Sequence, residues 1–136
     1  MILYHCSTVK IDSFYIPFGG LHFGGINSAL EAALRKLRSP RNTLDHKEIH
    51  IHKCFVELGK TQHSEDLGGE DSWRAVIDEC SRLGFNSVQY KNVYEPDSVP
   101  SYMIWDASRV KIIEVDCIHM DDAEQMLEEF YDSHCT

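Results

Sequence analysis

The apolar residues of this chain follow two different periods, and the segments that show each period do not alternate regularly. Short runs rich in β-branched and aromatic residues predict strands, whereas apolar residues spaced three and four apart predict helices. Strands are predicted at 2–5, 49–58, 87–90, 101–105 and 110–116, and helices at 28–38, 71–83 and about 120–134. This order predicts an α+β fold whose elements condense around one sheet.

Capping signals predict where the helices begin and end. Ser28-x-x-Glu31 has the pattern of a capping box and predicts that the first helix begins at residue 28. Asp71 and Ser72 predict the start of the second helix, and Gly84 its end as the residue after the C-cap. The inward face of the second helix is predicted to carry Trp73, Val76, Ile77, Cys80 and Leu83.

The length and the charge of the chain limit what it can do. With 136 residues, 43% of them hydrophobic, the chain is predicted to form one domain over residues 1–136. It carries 13 basic and 22 acidic side chains, and this net charge of -9 does not favour binding through phosphates. Eight of the basic and only five of the acidic side chains lie in residues 1–60, so an anionic ligand is expected near that half.

The compartment is predicted from two features of the sequence. No run of about 18 apolar residues is present, so no membrane partner is expected. The five cysteines are an odd number and form no Cys-x-x-Cys pair, which is typical of reduced thiols. Together these features predict a cytoplasmic protein.

Three small motifs have residue types that could carry chemistry. The glycine pairs at 19–20 and 24–25 fit neither the dinucleotide fingerprint nor the Walker loop, so neither fold is predicted. His50-x-His52-x-Cys54 places three potential zinc ligands on one strand face, but structural zinc normally needs a fourth, so a partly packed face and no metal site are expected. His5 and Cys6 point to opposite faces of a strand and cannot act as a base and a nucleophile.

Several segments, in this order, resemble small mono-ADP-ribosyltransferases of phages and bacteria. The resemblance spans about residues 2–113 and is carried by Leu3-Tyr4-His5-Cys6-Ser7-Thr8, Leu21-His22-Phe23-Gly24, Cys54-Phe55-Val56-Glu57-Leu58, Asp66-Leu67-Gly68, the stretch from Leu83 to Asn92, and the stretch from Ser101 to Lys111. It implies an ADP-ribosyltransferase-like fold, in which split mixed or antiparallel sheets with flanking helices surround an NAD cleft. NAD would be the co-substrate.

The resemblance also implies which residues bind NAD. His5 would bond the adenosine ribose, the backbone of Cys6 would hold the nicotinamide amide, and Ser7 would support the end of that strand. Either His22 or Phe23 would face NAD, depending on the register of their strand. Tyr90 and Tyr102 are further candidates, with core packing as the alternative for each aromatic residue.

The catalytic acid departs from the pattern of the family. Many relatives carry a Glu immediately before the strand that corresponds to Tyr102–Trp105, but Ser101 stands there in this chain. Other small members have the acid in the preceding loop, which favours Glu95 as the catalyst and leaves Asp97 as the alternative. Such a carboxylate would stabilise the oxocarbenium-like transition state that forms when NAD is cleaved. If neither acid reaches the ribose, the protein would be inactive.

Four functions therefore follow from the resemblance and the composition. The first is transfer of ADP-ribose to a macromolecule, with protein favoured over nucleic acid, by an effector or toxin. The second is an NAD-dependent RNA 2′-phosphotransferase, for which the basic residues would be Arg35, Lys36, Arg38 and Arg41. The third is an inactive binding or inhibitor module, and the fourth is NAD hydrolysis. Residues 114–136 carry eight acidic and no basic side chains, which fits either a solvated helix face or a surface for an antitoxin or inhibitor.

Overall fold

The chain forms three helices and two sheets within the residues that a computed structural model describes, which are 1–40, 46–91 and 99–134. The elements are β1 Ile2–Ser7, β2 Leu21–Phe23, α1 Ile26–Arg38, β3 Glu48–Val56, β4 Thr61–Ser64, α2 Glu70–Arg82, β5 Ser87–Tyr90, β6 Ser101–Ile104, β7 Val110–His119 and α3 Met120–His134. The predicted α+β class is confirmed. The prediction of a single sheet is wrong, because the strands form two separate sheets.

The two sheets differ in their strand order. One has the order β1-β3-β7 and is antiparallel throughout, and the other has the order β2-β6-β5-β4, in which only the β4–β5 pair is parallel. The sheets meet at their edge strands β1 and β2. Tyr4 and Gly24 exchange two backbone hydrogen bonds there, with N–O distances of 2.8 and 3.1 Å. This junction protects both edges.

Three clusters of buried residues give the layers of the fold. Helices α1 and α3 pack on the outer face of the three-stranded sheet, where Leu30, Leu34, Ile49 and Leu127 lie. Helix α2 packs on the outer face of the four-stranded sheet, where its Trp73 and Ile77 lie in one cluster with Met103 of β6. A third cluster, which includes Leu3, Phe23, Val56 and Ile104, fills the space between the sheets.

A bulge in β7 allows this strand to contribute side chains to two of the three buried clusters. Lys53 of β3 pairs with Glu114, but the next residue, Cys54, pairs with Ile112, so Ile113 is an extra residue and is 51% exposed. The extra residue reverses the faces to which the following side chains point. As a result Ile112 packs between the sheets, whereas Ile118 packs against the α1 cluster.

Glycine rather than a capping side chain begins each of the first two helices. Helix α1 begins at Ile26 after Gly25, so the capping box predicted for Ser28 is wrong and Ser28 lies buried inside the helix. Helix α2 likewise begins at Glu70 after Gly69, and not at the predicted Asp71–Ser72 cap. An extended glycine backbone is compatible with the N-cap position, where glycine is one of the preferred residues.

The end of α2 agrees with its prediction. Gly84 has φ +85°, its N–H donates to the carbonyl of Ser81, and the N–H of Phe85 donates to that of Cys80. These two bonds form a Schellman motif, which confirms Gly84 as the residue after the C-cap. Leu83, however, is 47% exposed, so its predicted inward position is wrong.

Strand β4 and helix α3 both have largely polar sequences. Strand β4 was missed, because Thr61, Gln62, His63 and Ser64 have no apolar alternation. Helix α3 begins at Met120, and it buries Ala123 and Leu127 against α1 while its acidic side chains face outward. None of the helices in the described ranges is long and apolar enough to cross a membrane.

Gly20 should be one of the least replaceable glycines of the fold. Its φ is +85°, and a Cβ atom there would lie 2.5 Å from Sδ of the buried Met103. We expect Gly20→Ala to lower the free energy of unfolding by about 1–3 kcal/mol from overpacking, in addition to the backbone strain. The measurement is urea unfolding.

Gly84→Ala is the matched control for that experiment. Gly84 has the same φ of +85°, but nothing lies within 4 Å of the added Cβ, so this variant isolates the backbone strain of about 1–2 kcal/mol. Equal losses in the two variants would contradict the proposed clash with Met103.

Candidate active site

A cleft of about 650 Å³ lies at the junction of the two sheets, between α1 and α2. Its volume falls within the range of roughly 300–1,000 Å³ that is typical of ligand sites. Of the residues that the resemblance implies for NAD, the cleft is lined by His5, Cys6, His22, Phe23 and Tyr90. The structure therefore brings together five predicted side chains from β1, β2 and β5. Ser7 and Tyr102 are not among the lining residues.

The register of β2 decides which of its side chains takes part in the hydrogen bonds beside the cleft. His22 pairs with Met103 and faces α2, whereas Phe23 pairs with Tyr102 and is 2% exposed between the sheets. Tyr102 is buried in the same cluster and donates a hydrogen bond to Gln89 Oε1 at 3.3 Å. His22 is thus the residue of β2 whose side chain joins the hydrogen bonds beside the cleft.

The hydrogen bonds of His22 fix its tautomer. Nε2 lies 3.0 Å from the carbonyl oxygen of Gly19, which can only accept, so Nε2 carries the proton. Nδ1 lies 2.6 Å from the Tyr90 hydroxyl oxygen and accepts a hydrogen bond from that hydroxyl. Burial lowers the pKa of His22, so the imidazole is neutral near pH 7. His22 therefore holds Tyr90 in place.

A second pair of imidazoles lies beside this network. His5 Nδ1 donates to the carbonyl of His22 at 2.8 Å, and burial lowers the pKa of His5 to about 4. His52 Nδ1 donates to the carbonyl of His5 at 3.0 Å, and its Nε2 accepts from the Ile11 N–H at 2.9 Å. Both rings are therefore neutral near pH 7, and His52 has no nitrogen left for a ligand.

The same contacts settle how the His50-x-His52-x-Cys54 face is used. His52 and Cys54 are fully buried and His50 is partly buried, which confirms the expectation of a face that is only partly packed. Burial raises the pKa of the Cys54 thiol to about 12. Burial has the same effect on Cys6, whose pKa is about 12, so neither thiol is a nucleophile near neutral pH.

The two walls of the cleft carry opposite charges. Arg35 and Lys36 of α1 line one side, and Asp66, in the loop before α2, and Glu70, the first residue of α2, line the other. Lys36 is close enough to His5 and His22 to lower the pKa of both rings, whereas Asp66 raises that of His22. A ligand with an anionic and a cationic part would complement this arrangement.

Aromatic rings form the wall next to the acidic side. The rings of Trp73 and Tyr90 lie 4.7 Å apart, and those of His22 and Trp73 lie 5.1 Å apart, edge to face. Trp73 was predicted only as a core residue of α2. Its position in the first turn of that helix, directly after Asp66-Leu67-Gly68, could have indicated that it also reaches the cleft.

Two of the basic residues predicted for RNA are paired with acidic side chains. Arg35 is 3.8 Å from Glu31, and Arg38 is 2.9 Å from Glu124 of α3. Arg41 lies outside the described residues. The acidic side chain from α3 therefore neutralises part of the basic helix end that an RNA phosphate would need.

The predicted catalytic acids, Glu95 and Asp97, lie outside the described residues. Of the described residues on either side of them, Tyr90 lines the cleft and is the register partner of Ser101. Ser101 is 1% exposed.

No protein-family model, curated protein or solved structure matches the chain. What the cleft binds must therefore be inferred from its own residues. They supply opposite charges, neutral imidazoles and an aromatic wall, which together suit a charged ligand with flat rings.

Proposed function

We propose that this protein is an NAD-dependent mono-ADP-ribosyltransferase. The observation that carries the proposal is the cleft with walls of opposite charge, lined by His5, His22 and Tyr90. NAD has an anionic pyrophosphate and a cationic nicotinamide ring, so its two ends complement a cleft of this kind. The resemblance of residues 2–113 to this family points to the same ligand.

The basic wall would bind the pyrophosphate. Lys36 lines the cleft, and among the described residues it makes no ion pair within 4 Å. A lysine ammonium beside a phosphate makes charge-assisted hydrogen bonds, which are stronger than neutral ones. Arg35 stands next to it but already interacts with Glu31, so Lys36 would contribute more.

The aromatic and acidic wall would hold the nicotinamide end. Trp73 and Tyr90 offer ring surfaces, and Asp66 and Glu70 offer negative charge near a cationic ring. In the reaction, the bond between the ribose and the nicotinamide nitrogen breaks, and nicotinamide leaves with the bonding electrons. The acceptor then forms a bond to the ribose carbon and loses its proton. Glu95 would stabilise the positive charge on the ribose.

The acceptor is proposed to be a macromolecule, with protein favoured. The net charge of -9 opposes long-range attraction to nucleic acid, and the paired state of Arg38 weakens the local basic region. A small effector or toxin acting in a bacterial cytoplasm, with its acidic α3 surface open to an antitoxin or inhibitor, is consistent with these charges.

Binding and transfer can be measured separately in one series of experiments. The chain has two tryptophans, and Trp105→Phe leaves Trp73 in the cleft wall as the only one. We expect NAD to quench the fluorescence of Trp73 in this variant. The same protein, incubated with labelled NAD and bacterial lysate, should release nicotinamide and label the protein fraction.

A charge-matched pair of variants tests the binding mode. Lys36→Gln should weaken NAD binding by about 10- to 100-fold, since charged hydrogen bonds are worth roughly 1.5–3 kcal/mol. Lys111→Gln, at an exposed position of β7, should leave binding unchanged. The absence of quenching by NAD would overturn the proposal.

An inactive binding module is the second candidate, and a specific observation favours it. Ser101, which is buried, stands where many relatives carry the catalytic Glu. Quenching of Trp73 by NAD without nicotinamide release, in a lysate that a control transferase can label, would select this candidate. Label in the nucleic-acid fraction would instead change the acceptor class.

A further inference from the structure

Three side chains of different chemistry meet on the three-stranded sheet, away from the cleft. They are Glu48 and His50 of β3 and Cys117 of β7, and their ligand atoms all lie within 4.8 Å of one another. His50 and Cys117 are direct register partners, and Glu48 lies two residues from His50 on the same face. The register of two paired strands therefore fixes the group.

The position of the cluster leaves it open to solvent. It lies on the face that carries His52 and Cys54, but beyond the part that the second sheet covers. Glu48 and Cys117 are exposed and His50 is partly buried. Cys117 is also the exposed thiol among the described residues, since Cys6, Cys54 and Cys80 are buried.

The chemistry of the three groups is that of a transition-metal site. A thiol, an imidazole and a carboxylate are the three kinds of side chain that bind zinc. Magnesium and calcium prefer oxygen ligands throughout, so this set does not suit them. Cys117 Sγ already donates a hydrogen bond to Glu48 Oε2 at 3.3 Å, which holds two of the ligand atoms together.

The distances are close to those that a bound ion requires. Ligand atoms on one tetrahedral zinc ion lie roughly 3.5 Å apart, given bond lengths of about 2.0–2.3 Å. The observed limit of 4.8 Å exceeds this by about 1 Å, a movement that exposed side chains can make without disturbing the core. Three protein ligands would leave the fourth position of the ion to water or to another ligand.

We infer that Glu48, His50 and Cys117 form a binding site for zinc or a chemically similar divalent transition metal. The Cys117 thiol loses its proton when the sulfur binds the ion, so one proton is released to solvent. This set differs from His50-x-His52-x-Cys54, because both nitrogens of His52 are used in hydrogen bonds. None of its three residues lines the cleft.

Cobalt(II) and zinc(II) titrations of the whole chain test this inference. The protein should carry Cys135→Ser, so that Cys117 is the accessible thiol under study. We expect one equivalent of cobalt to give a sulfur-to-metal charge-transfer band in the near ultraviolet, and zinc to abolish it. Zinc should also slow the reaction of Cys117 with a thiol reagent by at least about tenfold, since a bound thiolate is not free to attack.

Single-ligand variants and a matched histidine control decide the outcome. Cys117→Ser should abolish the charge-transfer band. His50→Gln should weaken metal binding by more than the roughly 10- to 100-fold that loss of an outer-shell partner costs. His63→Gln, which removes an exposed histidine from β4 in the other sheet, should have no effect. The inference is overturned if no band forms, if the band survives Cys117→Ser, or if His63→Gln weakens it equally.

Discussion

Glu95→Gln should lower ADP-ribose transfer by about 10²- to 10³-fold, the loss typical of removing one electrostatic stabiliser of a transition state. Glutamine keeps the shape of the side chain but removes the negative charge that would stabilise the ribose cation. NAD binding, followed by quenching of Trp73, should change much less, because the charge on the ribose develops only during the reaction. The measurement is the rate of nicotinamide release at saturating NAD.

Asp97→Asn is the matched control for Glu95→Gln. In the sequence, both residues lie between Tyr90, which lines the cleft, and Ser101. A large loss in Asp97→Asn together with normal release in Glu95→Gln would move the catalytic role to Asp97. If both variants kept the full rate, the carboxylates of the acidic wall, Asp66 and Glu70, would be the next to replace.

The folded protein should lose stability steeply as the pH falls from 6.5 to about 4. Burial lowers the pKa of His5 from 6.5 to about 4, so within this window the unfolded chain binds a proton that the folded chain excludes. Stability is therefore complete above pH 6.5 and falls as the pH decreases. A shift of this size corresponds to about 3 kcal/mol at pH 4 and below. The lowered pKa values of His22 and His52 act in the same direction.

His5→Asn isolates the contribution of this one ring. The asparagine amide can still donate to the carbonyl of His22, but it cannot take up a proton in this range. Urea unfolding between pH 7.5 and pH 4 should therefore show a dependence on pH that is shallower by about one proton. The same slope in both proteins would mean that His5 is protonated as easily in the folded state as in the unfolded one.

The sequence allowed most elements of the fold to be predicted, because their apolar spacing is regular. Strand β4 and the starts of α1 and α2 could not be predicted, for related reasons. Strand β4 is polar and gains its order by pairing with β5, a contact between distant segments. The two helices begin at glycines, whose extended backbone leaves no side-chain signal. Tertiary context thus overrode the local pattern.

The candidate site was predictable only in part. Five of its lining residues follow from motifs, but the choice between His22 and Phe23 depended on the register of β2 against β6, which no local pattern fixes. Lys36 and Trp73 belong to amphipathic helices, where such residues usually indicate solvent and core. The cluster of Glu48, His50 and Cys117 could not be predicted, because Cys117 is far from His50 in sequence and lies beside it only through strand pairing.

The order of strands in the three-stranded sheet has a consequence for how the chain is assembled. Ile2 pairs with Phe55, and Val56 pairs with Val110, so no strand of this sheet is adjacent in sequence to its partner. Pairing between strands that are distant in sequence requires large loops to close, at a cost in entropy, before stabilising contacts form. Folding of this sheet is therefore slow. During synthesis on a ribosome, β3 would be exposed before β7, and the edge of β3 that pairs with β7 would stay unpaired until β7 had been synthesised. The nascent chain would therefore be most open to aggregation or to capture by a chaperone in that interval.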